Sequence, residues 1–327
     1  MLQLLSDVDG TSAQLMSAVV FGAFAKLVGM AMVRRSHKSR FQQVGTVAHL
    51  YIYPVKSCGV LETPDAECTA VGLQSDGLTD RHWMVLDEHD RVISMDTEPT
   101  LTLIKPFSFN GNIRLQAPGM PSLDLPQKLD VNHSVIFYKK YYEQTIPVAH
   151  CGQEAENWIT KFLKKPAKLV FSCPELGLRD VYSRLRQWDN TSRQGDVSVF
   201  AYLTSYMVIT TESLRHINSQ LATPVSPVNF RPNIVVENSI PFDEDCWKEM
   251  RIGDQSLFHS VEPCRRCVVT TVDPNTGEYN KEKQPLALLK SFRCRSPYGT
   301  APIFGLYVSN DIPGHIKVGD SVYVMKD

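Results

Sequence analysis

The chain has 327 residues, of which 43% are hydrophobic and 21% charged, and its net charge is −1. That length suits one large domain or two of ordinary size, and the composition is that of a folded globular protein. Near-neutral charge excludes a dedicated nucleic-acid binder, and eight cysteines between Cys58 and Cys294 are too few for a disulfide scaffold.

The charge is uneven. Residues 1–40 hold five Lys/Arg and two acids; taking these from the totals of 34 and 35 leaves 29 and 33 for residues 41–327. Within this basic leader, Leu15–Val33 is apolar apart from Ser17, two glycines and Lys26. As a helix it would reach roughly 28 Å, close to one bilayer core. Lys26 costs about 2.5–3.5 kcal/mol at mid-membrane, eased by snorkelling of its stem. Asp7 and Asp9 precede the run, and Arg34, Arg35, Lys38 and Arg40 follow it, the reverse of a secretory signal. A transmembrane anchor is expected, with everything after residue 40 on the cytosolic side. A cleaved or transit-type leader is the alternative.

From Val44 the pattern is strand-rich. Alternation in Val47–Tyr53 predicts a strand ended by Pro54. Trp83–Leu86 and Ile113–Leu115 predict further strands, set off by turn formers such as Asn110-Gly111-Asn112. Glu154–Lys164 predicts a helix with Ala155, Trp158, Ile159, Phe162 and Leu163 on one face, stopped at Pro166. The polar stretch 172–196, with Pro174, Gly177 and Gly195, is the expected linker. Beyond it, Val199–Thr210 predicts a buried strand region, and Thr211 the cap of a helix bearing Leu214, Ile217 and Leu221. Arg251–Asp254 and Lys317–Asp320 each put a Gly-Asp turn before an apolar strand, Ser256–Phe258 and Ser321–Met325, as at the corners of a β-barrel. The expected fold is α+β and β-rich. An anchor over 1–40 is followed by a β-barrel-like module over 44–171, a linker over 172–196 and a second β-barrel module over 197–327.

No dinucleotide fingerprint, Walker lysine loop, nucleophile elbow or c-type haem site is present, so the chain carries no evident flavin or haem site. Cys264-Arg265-Arg266-Cys267 is the most informative segment. Structural zinc would need a second cysteine pair. A thioredoxin-type pair would open a helix, whereas β-branched Val268–Val272 predicts a strand. There remain two ordinary buried cysteines, or one reactive thiolate favoured by its arginine neighbours and suited to a soft or high-valent metal. The arginines also suit an anionic cofactor. In Asn229–Asn233, Pro232 biases Arg231 toward an extended backbone, and a guanidinium between two amides suits an anion clamp. A solvent-exposed loop is the alternative. Lys56 and Ser57 close the first strand as a phosphate contact or a solvated pair. Asp80 and Arg81 offer an ion pair, and Thr204 and Ser205 two hydroxyls that would equally cap a turn.

Tyr53–Cys58, Leu78–Trp83, Asn229–Asn233, Pro263–Pro274 and Phe304–Tyr307 occur in this order in MOSC-domain proteins with an N-terminal β-barrel domain. From about Val44 to its C-terminus the chain resembles these molybdenum enzymes, among them the mitochondrial amidoxime-reducing component. Cys264–Pro274 and Asn229–Asn233 are the most specific stretches, and the leader fits that family's anchor. The resemblance implies a molybdopterin-type molybdenum cofactor between two modules, with Cys267 as the catalytic metal ligand. Lys56, Ser57, Arg81, Thr204, Ser205, Arg231, Asn233, Arg265, Arg266 and Tyr307 would surround the pterin and its phosphate. The implied reaction is two-electron reduction of N-hydroxylated substrates, amidoximes and hydroxylamines, to amidines and amines. Electrons would come from cytochrome b5 and its NADH-dependent reductase, at the mitochondrial outer membrane with the body facing the cytosol. The alternatives are a non-catalytic carrier of molybdenum cofactor or sulfur, and a plain membrane-tethered scaffold. Leu203 stands where close relatives carry an acid, Tyr206 replaces a proline and Arg265 a small serine, departures that bear on substrate range more than on cofactor binding.

Overall fold

The computed structural model describes residues 41–130, 136–141, 144–182 and 191–326. The expected anchor, Leu15–Val33, lies outside them. Among the described residues no helix is long and apolar enough to cross a membrane. Gln43–Asp327 is one compact unit.

At its centre is a closed barrel of seven strands. Around the barrel they run Ile234–Glu237, Tyr206–Thr210, Ile303–Ile312, Ser256–Arg265, Trp247–Ile252, Ser321–Lys326 and Gln42–Ile52, which pairs back onto Ile234–Glu237. The two-residue period of a strand decides which side chains face in. Val208, Ile234, Val236, Met250, Phe258 and Val324 fill the barrel. Met207, Ile209 and Val235 face out, against Leu214 and Ile217 of the helix Thr211–Asn218. Two glycines permit this geometry. At the seam, a Cβ on Gly45 would lie 1.9 Å from the Glu237 carbonyl oxygen, so only glycine lets the N-terminal strand close the barrel. Further on, Pro263 faces Leu306 but Arg265 faces Ile303, so the strand Ile303–Ile312 carries one extra residue. That bulge sits at Gly305, whose φ is +77°. It sends Phe304 to the outer cluster while Leu306 stays inside.

The N-terminal half adds three smaller sheets, of five, three and four strands. The helix Gln153–Leu163 buries Ala155, Trp158, Ile159 and Leu163 against that half's core and ends at left-handed Lys164, as its apolar spacing and Pro166 predict. The halves exchange strands. Gln42–Ile52 completes a barrel otherwise built from residues 206–326, and Gly314–Lys317 pairs with Asp65–Thr69 in the four-stranded sheet.

The expected strands over Val47–Tyr53, Trp83–Leu86 and Ile113–Leu115 are present, with small shifts at their ends. Both Gly-Asp corners separate strands as expected. Val199–Thr210 differs: only Tyr206–Thr210 is strand. The carbonyls upstream are taken by buried cations instead of a ladder. Arg179 is fully buried and donates from Nη2 to the carbonyls of Ala201 and Leu203, both at 2.8 Å. Lys56 Nζ donates to that of Phe200 at 3.0 Å. The helix cap is Thr210 rather than Thr211, because the Thr210 hydroxyl accepts from the Ser213 amide, and the helix ends before Leu221.

The described parts of 172–196 are pinned on both sides. Arg179–Asp180 pairs with Val197–Ser198, and Asp196 meets Nε2 of buried His259 at 3.0 Å while Asp311 meets Nδ1 at 2.7 Å. Burial disfavours the imidazolium, but the two carboxylates outweigh it and lift His259 from 6.5 to about 9. A folded-state value above the unfolded one adds stability that is fully present below pH 6.5 and is lost as the pH rises through about 9. The melting temperature is therefore expected to fall across that window, and His259→Asn to flatten the fall. Thermal denaturation at several pH values checks this; an unchanged slope in the variant would assign the loss to another group.

Candidate functional site

A cavity of about 480 Å³ opens where the barrel strands Tyr206–Thr210, Ser256–Arg265 and Ile303–Ile312 meet loops of the N-terminal half. Lys56, Ser57, Arg81, Thr204, Arg231, Asn233, Arg265, Arg266, Cys267 and Tyr307 all line it. Ser205 does not; its hydroxyl donates to the Val197 carbonyl at 3.2 Å. The Thr204 hydroxyl likewise serves the backbone, donating to the Tyr206 carbonyl at 2.9 Å.

One side of the cavity is cationic. The strand Gln42–Ile52 delivers Tyr53 as a fully buried ring, with the guanidinium carbons of Arg231 and Arg81 at 4.1 and 5.0 Å from its centroid. Asp80 pairs with Arg81 through one oxygen and accepts the Tyr53 amide at 2.8 Å through the other. Buried Asn233 accepts the Met207 amide and donates to the Tyr51 carbonyl, both at 3.2 Å. Arg231 Nη1 donates to the Cys58 carbonyl at 2.8 Å, but its Nη2 is buried without a hydrogen-bond partner. Burial lowers Arg231 to about 10. Burial, reinforced by Arg81, Arg179 and Arg231, lowers Lys56 from 10.5 to about 7.

The backbone here is strained. Ser57, Arg81 and Arg231 have φ of 70°, 53° and 55°, the left-handed region that non-glycine residues avoid. Arg231 was expected to be extended ahead of Pro232. It instead caps the 3-10 turn Pro227–Phe230, held by its contacts with Cys58 and Tyr53. Such residues cost about 1–3 kcal/mol each and collect at binding sites.

The other side carries the cysteine pair, and burial separates its members. Cys264 is buried, which pushes its thiol up, while Cys267 is exposed in the cavity wall. Cys267 precedes a 3-10 turn, Val268–Thr271, where a strand was expected. Local hydrogen bonds override the β-branched preference. The Thr270 and Thr271 hydroxyls donate to the carbonyls of Cys267 and Val268 at 2.9 and 2.7 Å. Asn229 Nδ2 then holds the carbonyls of Thr270 and Val272 at 3.3 and 3.0 Å. Arg266 is used inside the protein, donating to the carbonyls of Phe304 and Phe230 at 2.7 and 2.9 Å, so it fixes the approach to Cys267.

Ser94, Met95, Asp96 and Tyr202 also line the cavity. Sequence reasoning missed them because their segments carry no motif. The Ser94–Asp96 loop is held from afar. The Ser57 hydroxyl accepts the Met95 amide at 3.0 Å, and the Tyr279 hydroxyl lies 2.8 Å from the Asp96 carbonyl. Among the described residues no cluster of three or more His, Cys, Asp or Glu could hold a metal by itself.

Residues 44–166 match the MOSC N-terminal beta barrel domain, and residues 199–323 the MOSC domain. Human mitochondrial amidoxime-reducing component 1 is 38% identical over 321 residues, 95% of this chain and 93% of its own length. Human mitochondrial amidoxime reducing component 2 is 37% identical over 318 residues, with the same coverage of 95% and 93%. The component 1 of Danio rerio is 31% identical over 307 residues, 92% of each chain. The chain belongs to the MOSC-domain family. Both matched MOSC stretches build the cavity: Lys56, Ser57 and Arg81 come from the first, and Thr204 to Tyr307 from the second.

Crowding among cations gives the MOSC cavity a testable linkage. An anion bound there would raise Lys56 above its value of about 7, so the complex takes up a proton at higher pH. Sulfate affinity for the protein is expected to be highest below pH 7 and to fall above it, by up to about tenfold per pH unit. Lys56→Met should remove the dependence. Calorimetry in two buffers of different ionisation enthalpy reads the proton uptake; its absence would show that Lys56 faces no bound anion.

Proposed function

We propose that this chain is a molybdenum-cofactor reductase of N-hydroxylated compounds, converting amidoximes and hydroxylamines to amidines and amines. The observation that carries the reading is an exposed thiol, Cys267, in one cavity with the cations Lys56, Arg81 and Arg231, the last with one guanidinium nitrogen left without a hydrogen-bond partner. A soft thiolate suits a soft or high-valent metal, and a half-buried guanidinium beside Lys56 and Arg81 suits a phosphate. The molybdenum cofactor has both features. The cavity volume of about 480 Å³ falls among cofactor clefts of ~300–1,000 Å³. The residues present therefore fit the group. The names of the relatives, amidoxime-reducing components, support the reaction class.

When bound, the cofactor supplies the two-electron redox chemistry. The chain's part is to hold and orient. Cys267 is the proposed ligand, and Lys56, Arg81, Arg231, Ser57 and Asn233 the proposed anion cradle. Thr204, Arg265 and Tyr307 face it from other walls, and Ser205 and Arg266 support them from behind. Burial pushes the Tyr307 phenol well up, so it stays protonated, and its hydroxyl is hydrogen-bonded to the buried Cys264 thiol. Reduction consumes two electrons and two protons, breaks the N–O bond and releases water. With no flavin or haem motif in the chain, cytochrome b5 and its NADH-dependent reductase are the proposed donors. The relatives' names support a mitochondrial setting. The outer membrane, with the body facing the cytosol, is the proposed location.

Cys267→Ser is expected to abolish amidoxime reduction with circular dichroism unchanged, and Cys264→Ser to retain most of it. Molybdenum analysis with a dye-coupled amidoxime assay checks both. Equal loss in the two variants would point to a shared metal or disulfide. Wild-type protein that holds molybdenum yet reduces nothing would support the carrier reading.

A chain starting at Phe41 should be soluble and active with artificial donors, while the full chain should resist carbonate extraction. Added protease should remove the body from intact mitochondria. A body protected by an intact outer membrane would overturn the proposed orientation and, with it, the proposed donor.

A further inference from the structure

Tyr202 stands in the cavity wall with 41% of its surface exposed, much for a large aromatic side chain in a concave site. Its backbone is unusually well fixed. Arg179 holds the carbonyls of Val199, Ala201 and Leu203 at 3.4, 2.8 and 2.8 Å, and Lys56 holds that of Phe200 at 3.0 Å. The carbonyls on either side of Tyr202 are thus turned onto one buried guanidinium. The ring is backed by Tyr307, with centroids 6.3 Å apart and planes inclined by 28°. Adjacent Leu203 is buried with Val181 and Val261 and adds no charge to this wall.

We propose that Tyr202 is a specificity-determining residue: its ring, backed by Tyr307, is a stacking wall that selects substrates whose N-hydroxylated group is conjugated to a planar ring. The proposal rests on the reductase reading for its substrate class. A pre-fixed aromatic face gains area without the entropy cost of ordering a mobile side chain. Offset stacking rewards a flat conjugated ligand and gives nothing to a short aliphatic one. The chemical class that fits is the aromatic amidoximes and N-hydroxylated heteroaromatic bases.

The test uses full-length protein as purified, with Tyr202→Ala and Tyr202→Phe, and two amidines that do not turn over, benzamidine and acetamidine. Calorimetry should show Tyr202→Ala weakening benzamidine by about threefold to tenfold, with acetamidine changed by less than about twofold. Tyr202→Phe keeps the ring and should match wild type for both. In turnover, kcat/KM for benzamidoxime relative to acetamidoxime should fall in Tyr202→Ala by the same factor, mostly through KM. Equal benzamidine affinity in wild type and Tyr202→Ala overturns the wall, as does equal weakening of both amidines. Tyr202-dependent benzamidine binding in a protein that reduces neither amidoxime leaves the wall standing and removes the reductase reading. Reduction of both substrates with an unchanged ratio in Tyr202→Ala does the reverse.

Discussion

Three half-buried cations, Lys56, Arg81 and Arg231, crowd the wall around Tyr53, and the buried carboxylate beside them is Asp80. Desolvating a charge without a partner costs several kcal/mol, so this side of the cavity must be compensated. The fold supplies part of the compensation. Asp80 pairs with Arg81, the Tyr53 ring lies against both guanidiniums, and the carbonyls of Cys58 and Phe200 take Arg231 and Lys56. What is left over is specific: one guanidinium nitrogen of Arg231 without an acceptor, and a lysine pushed down to about 7. Both deficits are of the kind an anion removes.

The barrel exists in the form that makes this arrangement possible. Tyr53 follows directly on the strand Gln42–Ile52, so its place is set by closure at Gly45. Arg231 and Asn233 lie just before the strand that meets it across the seam, Ile234–Glu237. The extra residue at Gly305 has its effect on the other side. By turning Phe304 outward it brings that residue's carbonyl to Arg266, and Arg266 is the residue before Cys267. The strained φ angles of Ser57, Arg81 and Arg231 belong to the same economy of positions: each is bent away from its preferred region where the chain must turn a side chain into the cavity.

The strand over Trp83–Leu86 was legible as a short apolar run that is buried throughout, that over Val47–Tyr53 although its burial is continuous from Leu50 and does not alternate, and the helix near Glu154 because its apolar spacing is clean. The exchange of strands was not, since it depends on pairings more than 180 residues apart that leave no local pattern. Composition misled at Val268–Thr271, where two threonine hydroxyls and Asn229 outcompete a β-ladder. It misled again at Arg231, where tertiary contacts win over the preference imposed by Pro232. The candidate site was legible as residue types, because clustered cations and a cysteine pair carry chemistry wherever they fall. Which cysteine is accessible was not, because only the tertiary packing decides that Cys264 is buried in the outer cluster and Cys267 exposed. Tyr202 was invisible for a related reason: the carbonyls that fix it bond to Arg179, more than twenty residues away.

The cation side joins Lys56 and Arg81 from the first stretch to Arg231 from the second, which also supplies the thiol, so neither stretch makes the cavity alone. Lys56, Ser57 and Arg81 reach the site only because the first strand is built into the barrel. Cys267 reaches it through a strand whose neighbours include that same barrel wall. A molecule touching both sides therefore binds the interlocked body and not either stretch unfolded. Its binding energy adds to the stability of the exchange itself. Strain at three left-handed residues and repulsion among three cations weigh against the empty body, and an anion on the cations relieves the repulsion. The shape and the charge of the pocket are thus both set by the fold before anything binds there.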